Sequence, residues 1–186
     1  MDRRQHKTRE AIFGAFTRLL SRQRLEKITV GQIIAEADVG RATFYAHFET
    51  RDALLEALCE ELFCHIFDAA EPEGEDHRHI FHCDAPDCVF LHLFRHLKDN
   101  DNGLLALLRC SSNEVFLAYF RKGLSRLAES QLEAFPLDRR LPRDFRIHHI
   151  ITAVTGTLRW WLAGGLRESP EEITAYLYLS LGAEPL

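Results

Sequence analysis

Apolar residues near the start of the chain recur at helical spacing. Ile12, Phe13, Phe16, Leu19 and Leu20 share one face of a helix predicted to begin near Arg3 and to fade around Gln23. The next segment, ITVGQII (28–34), carries a start signal: Thr29 and Gln32 stand at the two positions of a capping box, and Ile28 and Ile33 at those of a hydrophobic staple. A helix from Val30 to about Ala37 is therefore expected. Asp38-Val39-Gly40 has room only for a tight turn, and a second short helix runs from Arg41 to about His47. Thr50 can cap a third, whose apolar positions Leu54, Leu55, Leu58, Leu62 and Ile66 keep one face to about Ala70. The polar stretch 71–79, with Pro72 and Gly74, reads as a loop. Further helices are predicted over about 86–98, 103–110, 113–135, 145–163 and 170–181. The last is sharply signed by Ser169 as cap, Pro170 at its first position and Glu172 closing a second capping box. Strand alternation is nearly absent, so the fold class is all-α.

Two short helices joined by a three-residue turn have the spacing of a helix-turn-helix, whose second helix enters the DNA major groove. The composition of GRATFYAHF (40–48) fits that use and fits a core corner poorly. Val39, Phe44 and Phe48 are expected to point inward, against Ile33, Ile34 and the first helix. Arg41, Ala42 and Thr43 are placed to face base edges, an Arg for guanine and an Ala or Thr methyl for the thymine methyl. Gly40 lets backbone N–H groups approach a phosphate, while Tyr45, His47 and Arg51 offer donors to the DNA backbone. With Thr29 these form the candidate DNA-binding set.

The stretch ITVGQIIAEADVGRATFYAHFETRDALLEAL (28–58) resembles the DNA-binding domain of the TetR-type family of bacterial transcriptional regulators. The resemblance lies in the pattern T-V-x-x-I-x-x-x-A-x-V-x-x-x-T-F-Y-x-H-F-x-x-K/R-x-x-L, and a basic first helix with Lys7 to Leu20 is in keeping with it. Asp38 stands where the family commonly has Gly, Gly40 where it has Ser, and Arg51 where it has Lys. FRHLKDNDNGLLALL and TGTLRWWLAGGLRESPEEITAYL look similar to the body of a subgroup that includes regulators of dihydroxyacetone-kinase operons, a subgroup too varied to imply that effector. The resemblance implies a helix-turn-helix domain over residues 1–50 on a helical bundle, 51–186, that binds a small effector and dimerises. It further implies a homodimer on a pseudo-palindromic double-stranded DNA operator. The function is then that of a repressor relieved by a small molecule.

Charge supports a division of labour. The chain of 186 residues has a net charge of −5, yet residues 1–51 hold ten Lys/Arg against six Asp/Glu. A basic head on an acidic body suits an anionic partner at the head. No secretory leader or membrane-length apolar run is present in the sequence, so a cytoplasmic protein with no membrane partner is expected. Neither a glycine-rich phosphate loop, nor H-E-x-x-H, nor a G-x-S-x-G elbow occurs, so no enzyme and no cofactor are predicted.

Two features of the body remain. An effector pocket between facing helices would draw on Phe63, Phe67, Phe94, Phe116, Tyr119 and Trp160, though aromatics at helical spacing also make plain core. The apolar stripes Ile147, Ile150, Ile151, Val154, Leu158 and Ile173, Leu177, Leu181 are expected at the dimer interface, the other possibility being that they pack on the core. The alternative function is a metal- or thiol-responsive regulator built on the His/Cys cluster 77–96: His77, His79, His82, Cys83, Cys88, His92 and His96. Within it Cys88, His92 and His96 follow one another at four-residue steps on one predicted helix, a set that suits zinc or copper.

Overall fold

The computed structural model describes residues 3–68, 88–98 and 114–184, and among these every regular element is helical. Helices α1 (Arg3–Arg22), α2 (Val30–Ala37) and α3 (Arg41–His47) form the head, and α4 (Arg51–Asp68) leads from it into the body. The body contains α5 (Val89–Lys98), α6 (Glu114–Ser130), α7 (Arg143–Ala163) and α8 (Pro170–Ser180). The expected helix 103–110, the loop 71–79 and the residues His77, His79, His82 and Cys83 lie outside the described residues. No helix among those described is long and apolar enough to cross a membrane.

Local signals set the boundaries of the head. Thr29 Oγ1 accepts the Gln32 N–H at 3.2 Å while Gln32 Oε1 accepts the Thr29 N–H at 2.8 Å, closing the capping box. Thr50 Oγ1 accepts the Ala53 N–H at 3.0 Å and starts α4. The α1 face of Ile12, Phe13, Phe16, Leu19 and Leu20 is buried against α2 and the bases of α3 and α4. Across that seam Arg18 pairs with Glu36 at 2.8 Å. Arg9 has its guanidinium 4.9 Å from the centre of the Phe13 ring and 5.2 Å from that of Phe48, and pairs with Glu61 of α4 at 3.1 Å. One side chain thus ties α1, the end of α3 and α4 together.

At the turn, Asp38 caps α2 in the left-handed conformation, φ 52° and ψ 48°. Only glycine takes that region without steric cost, and Asp is among the less penalised alternatives. Asp38→Gly is expected to raise the unfolding free energy by about 0.5–1 kcal/mol, read by urea denaturation. No gain would mean that a side-chain interaction of Asp38 offsets its backbone strain.

The core runs without a break from the head through α4 to Leu181. In the body α4 packs on α6, α5 on α8, and α7 on both α6 and α8. The connection from α7 to α8 is held at the Glu168 carbonyl, which accepts from Trp161 Nε1 and from Lys98 Nζ, each at 3.1 Å. Ser169 and Glu172 form the second capping box, with the two bonds at 3.1 and 2.7 Å. The expected helix 113–135 divides: α6 ends at Ser130, and a 3₁₀ turn covers Leu132–Ala134. Pro136 is the reason, since a residue before proline is pushed out of helical space, and Phe135 is extended at φ −107° and ψ 135°.

The stripes on the last two helices are core. Ile147, Ile150, Val154 and Leu158 of α7 and Ile173 and Leu177 of α8, with Leu181 just past its end, are all buried within the single chain. What α7 and α8 present outward is a different apolar set. Phe145, Trp160, Tyr176 and Leu179 are exposed, Trp160 by 55% and Leu179 by 59%. Trp160 and Tyr176 meet edge to face, with centroids 6.2 Å apart, and the exposed Thr152 and Gly156 lie along the same side of α7.

Candidate nucleic-acid interface

Helix α3 is anchored by one fully buried side chain, with His47 half-buried and its other residues exposed. Phe44 is fully buried and lies 6.0 Å from Phe48, which meets Phe13 of α1 at 5.4 Å. With Phe44 fixed inward, helical geometry turns Arg41, Ala42 and Thr43 to solvent as one outward set. Tyr45 is 46% exposed and braced edge-on by Phe44 at 5.5 Å. His47 is half-buried beside Phe48. Among the described residues no hydrogen bond or ion pair within the protein engages the Arg41 guanidinium, so its donors remain available.

One of the predicted DNA contacts, Arg51, has its guanidinium engaged within the protein. Arg51 is drawn back into the head. Its Nη1 donates to the carbonyls of Leu25 at 2.9 Å and Ile28 at 3.2 Å, and its Nε and Nη2 donate to Asp52 Oδ1 at 3.3 and 3.2 Å. It holds the 3₁₀ turn Leu25–Lys27 onto the start of α4: the Leu25 carbonyl, which also accepts the Ile28 N–H at 3.0 Å, and the Ile28 carbonyl both accept from the one guanidinium. Gly40 sits at ordinary backbone angles, φ −73° and ψ 152°, and a Cβ there would touch only Thr43 Oγ1, at 3.5 Å. Sterics within the chain do not demand glycine at that position. Thr29 is exposed at the start of α2, with its hydroxyl in the capping box.

Sequence reasoning missed a flank of this surface. Arg4, Lys7, Thr8 and Ala11 of α1 line one side of an open cleft whose other side is Ala37, Asp38 and Val39, the helix-turn-helix turn itself. The basic N-terminus was the available signal, but only tertiary packing brings it beside the turn.

The expected pocket residues scatter. Phe63 and Tyr119 meet at a cavity of about 30 Å³ between α4 and α6, lined also by Glu56, Cys59, Glu60, Lys122, Gly123 and Arg126. That volume holds little more than one water molecule. Phe94 is buried deeper, 5.9 Å from Trp161, whereas Trp160 faces out of the body. The side chains of Phe67 and Phe116 lie outside the described ones. Burial, and then Glu60 and Glu56, push the Cys59 thiol up to about 12, which leaves it protonated and unreactive.

The metal set is also regrouped. Cys88 Sγ lies 3.4 Å from the Tyr178 hydroxyl and accepts the Leu91 N–H at 3.4 Å, so the thiol is turned to α8. His92 and His96 do come together, Nε2 to Nε2 at 3.1 Å, and their third neighbour is His65 of α4. Burial, with His96 and Arg95 adding to it, holds the His92 imidazole down at about 4, so it is neutral at physiological pH.

A family model described as "Bacterial regulatory proteins, tetR family" matches residues 12–58, and one described as "Transcriptional regulator C-terminal region" matches residues 84–181. A TetR transcriptional regulator of known structure from Streptococcus agalactiae 2603V is 31% identical, with a TM-score of 0.71 over 97% of this chain and 96% of that one. The uncharacterised HTH-type transcriptional regulator YxbF of Bacillus subtilis (strain 168) is 25% identical over 92% of this chain and 43% of that protein. RolR, crystallised without ligand, shares the fold at a TM-score of 0.51 and 19% identity, over 94% of this chain and 91% of that one. The chain spans less than half the length of the curated relatives it matches. The relatives from Streptococcus agalactiae and Bacillus subtilis are described as transcriptional regulators. With a helix-turn-helix head, matched models over head and body, and a full-length structural counterpart at 31% identity, the chain belongs to the TetR family of bacterial transcriptional regulators.

Proposed function

We propose that the chain is a homodimeric repressor whose α3 helices enter successive major grooves of a pseudo-palindromic operator, and that a small molecule bound in the body relieves that binding. The observation that carries the reading is the outward trio Arg41, Ala42 and Thr43 on a helix held by the buried Phe44. Tyr45, the exposed Thr29 and the basic Lys7 beside the turn are suited to phosphates. Division into a DNA-binding unit, residues 1–50, and an effector and dimerisation unit, residues 51–186, belongs to the same reading, as does a cytoplasmic location.

Dimerisation is supported by the exposed set on α7 and α8. Phe145, Trp160, Tyr176 and Leu179 are large, and Thr152 and Gly156 between them let a second helix approach closely. Exposed large apolar residues grouped on two neighbouring helices suit an association site, and a two-fold pair doubles the few base contacts one short helix can make. Relief by an effector requires a ligand that binds one arrangement of the dimer better than the other. The α4–α6 seam at Phe63 and Tyr119 is the part of the described body where it would enter, by opening the small cavity there.

The test is a fluorescence-anisotropy titration of the untagged chain on DNA from upstream of its own gene, against scrambled DNA and across a salt series. Specific binding with a steep salt dependence is expected. Arg41→Ala should weaken it by about 5- to 150-fold, the worth of one bidentate base contact. Equal binding of both DNAs by the wild type, or an unchanged Arg41→Ala titration, would remove α3 from base readout.

A further inference from the structure

Three histidines meet where α4 crosses α5. His65 comes from the C-terminal part of α4, while His92 and His96 stand one turn apart on α5 and so share a face. All three are buried, with 8%, 1% and 8% of their surfaces exposed. Their ring centroids form a nearly equilateral triangle, 4.9 Å for His65–His92, 4.8 Å for His65–His96 and 4.8 Å for His92–His96. One nitrogen from each lies within 4.8 Å of the others.

We propose that His65, His92 and His96 bind one first-row divalent metal ion, with zinc the best match to the donors, and so clasp α4 to α5. Geometry carries the assignment. Metal–imidazole bonds of about 2.0–2.1 Å place neighbouring ligand nitrogens roughly 3–3.4 Å apart, and His92 Nε2 and His96 Nε2 are already 3.1 Å apart. The other separations are within 4.8 Å, a distance that small side-chain rotations on metal binding would close.

Ligand chemistry narrows the metal. Three imidazoles with no carboxylate suit zinc, copper, nickel or cobalt and disfavour the oxygen-seeking magnesium and calcium. Three protein ligands leave a fourth position for water or another small donor. The competing arrangement is a packed cluster in which the rings satisfy one another by N–H···N bonds. Such a cluster needs no metal, and it accommodates Gln in place of His as a hydrogen-bonding isostere. The clasp would act on a helix with two functions: α4 holds the body at its far end, and at its near end Arg51 grips the Leu25 and Ile28 carbonyls of the head.

The experiment uses the full untagged chain, stripped with a chelator and titrated with Co²⁺ and then Zn²⁺. Expected are one equivalent of Co²⁺ per chain at micromolar protein, visible d–d absorption of the intensity typical of four-coordinate cobalt, and its displacement by Zn²⁺. Zn²⁺ in excess should raise Tm by several degrees. His65→Gln and His96→Gln, made separately, should each abolish the cobalt bands, while a His148→Gln/His149→Gln control on the exposed face of α7 keeps them. Ring-nitrogen NMR of the wild type during Zn²⁺ titration gives the same answer without any variant, by shifting three buried imidazoles together. No cobalt bands with folded wild-type protein, or bands that survive both single variants, would overturn the proposal in favour of a packed histidine cluster.

Discussion

Gly123→Ala is expected to destabilise the protein by about 2 kcal/mol, and Gly123→Val by more, although alanine is the better helix former. Gly123 lies in the interior of α6, where replacing Gly by Ala at an open site gains roughly 1 kcal/mol. Here a Cβ would overlap three atoms of the Phe63 ring. Phe63 is itself fully buried and packs against Phe120, with ring centroids 5.3 Å apart, so it cannot swing clear. The added methyl must spread α4 from α6, and overpacking costs typically 1–3 kcal/mol. With three ring atoms overlapped the upper end applies, about 3 kcal/mol against the roughly 1 kcal/mol propensity gain. Urea denaturation decides it by sign. A more stable Gly123→Ala protein would mean that the α4–α6 seam is looser than the structure has it. Pairing the substitution with Phe63→Leu, which shortens the obstructing ring, should recover part of the loss in a double-mutant cycle.

Trp160→Asp is expected to convert the proposed dimer to monomer at micromolar concentration and to lower operator affinity by at least 100-fold. Large aromatics at the centre of an interface are worth 2 kcal/mol or more each when truncated. In a two-fold interface the substitution is present twice and brings two carboxylates toward an apolar surface, so a loss of about 4 kcal/mol, nearly a thousand-fold in dimer affinity, is the expected scale. Leu179→Asp on α8 should act the same way. Monomer folding should be little affected, since Trp160 and Leu179 are exposed in the single chain while the neighbouring Trp161 fills the core. Analytical ultracentrifugation with far-UV circular dichroism separates the effects. An unchanged dimer would put the interface elsewhere on the body.

These outcomes turn on features of unequal visibility in the sequence. The capping boxes at Thr29 and Ser169, the three-residue turn and the inward Phe44 and Phe48 could be read directly. Each is an interaction between residues three or four positions apart, within one turn of helix. The outward trio of α3 was legible for the same reason, since fixing Phe44 inward fixes its neighbours outward. Arg51 was not, because its partners are carbonyls at Leu25 and Ile28, more than twenty positions away. A basic residue next to a recognition helix gives no sign of being already satisfied.

Helices α7 and α8 show where periodicity stops. Spacing groups Ile147, Ile150, Val154 and Leu158 on one side of α7, and Phe145, Gly156 and Trp160 on another. Both sides carry large apolar residues, so amphipathicity cannot say which meets the chain's own core. Packing against α6 and α8 decides it, burying the isoleucine stripe and leaving Trp160 outward. The same limit exchanged one member of the metal set. Four-residue spacing joined Cys88, His92 and His96, but an α-helix rotates by more than a full turn in four residues, so over eight positions the first and last drift apart. Cys88 turns to Tyr178, and His65 arrives from another helix.

By itself, then, the sequence determined the helical class, most helix starts, the turn and the residues that α3 turns to solvent, because backbone caps and helical phase are local. Only the tertiary structure decided which apolar face is core, where Arg51 donates, how closely Gly123 meets Phe63 and which three histidines converge. Each of these depends on the relative placement of separate helices, which summed packing of the whole core selects.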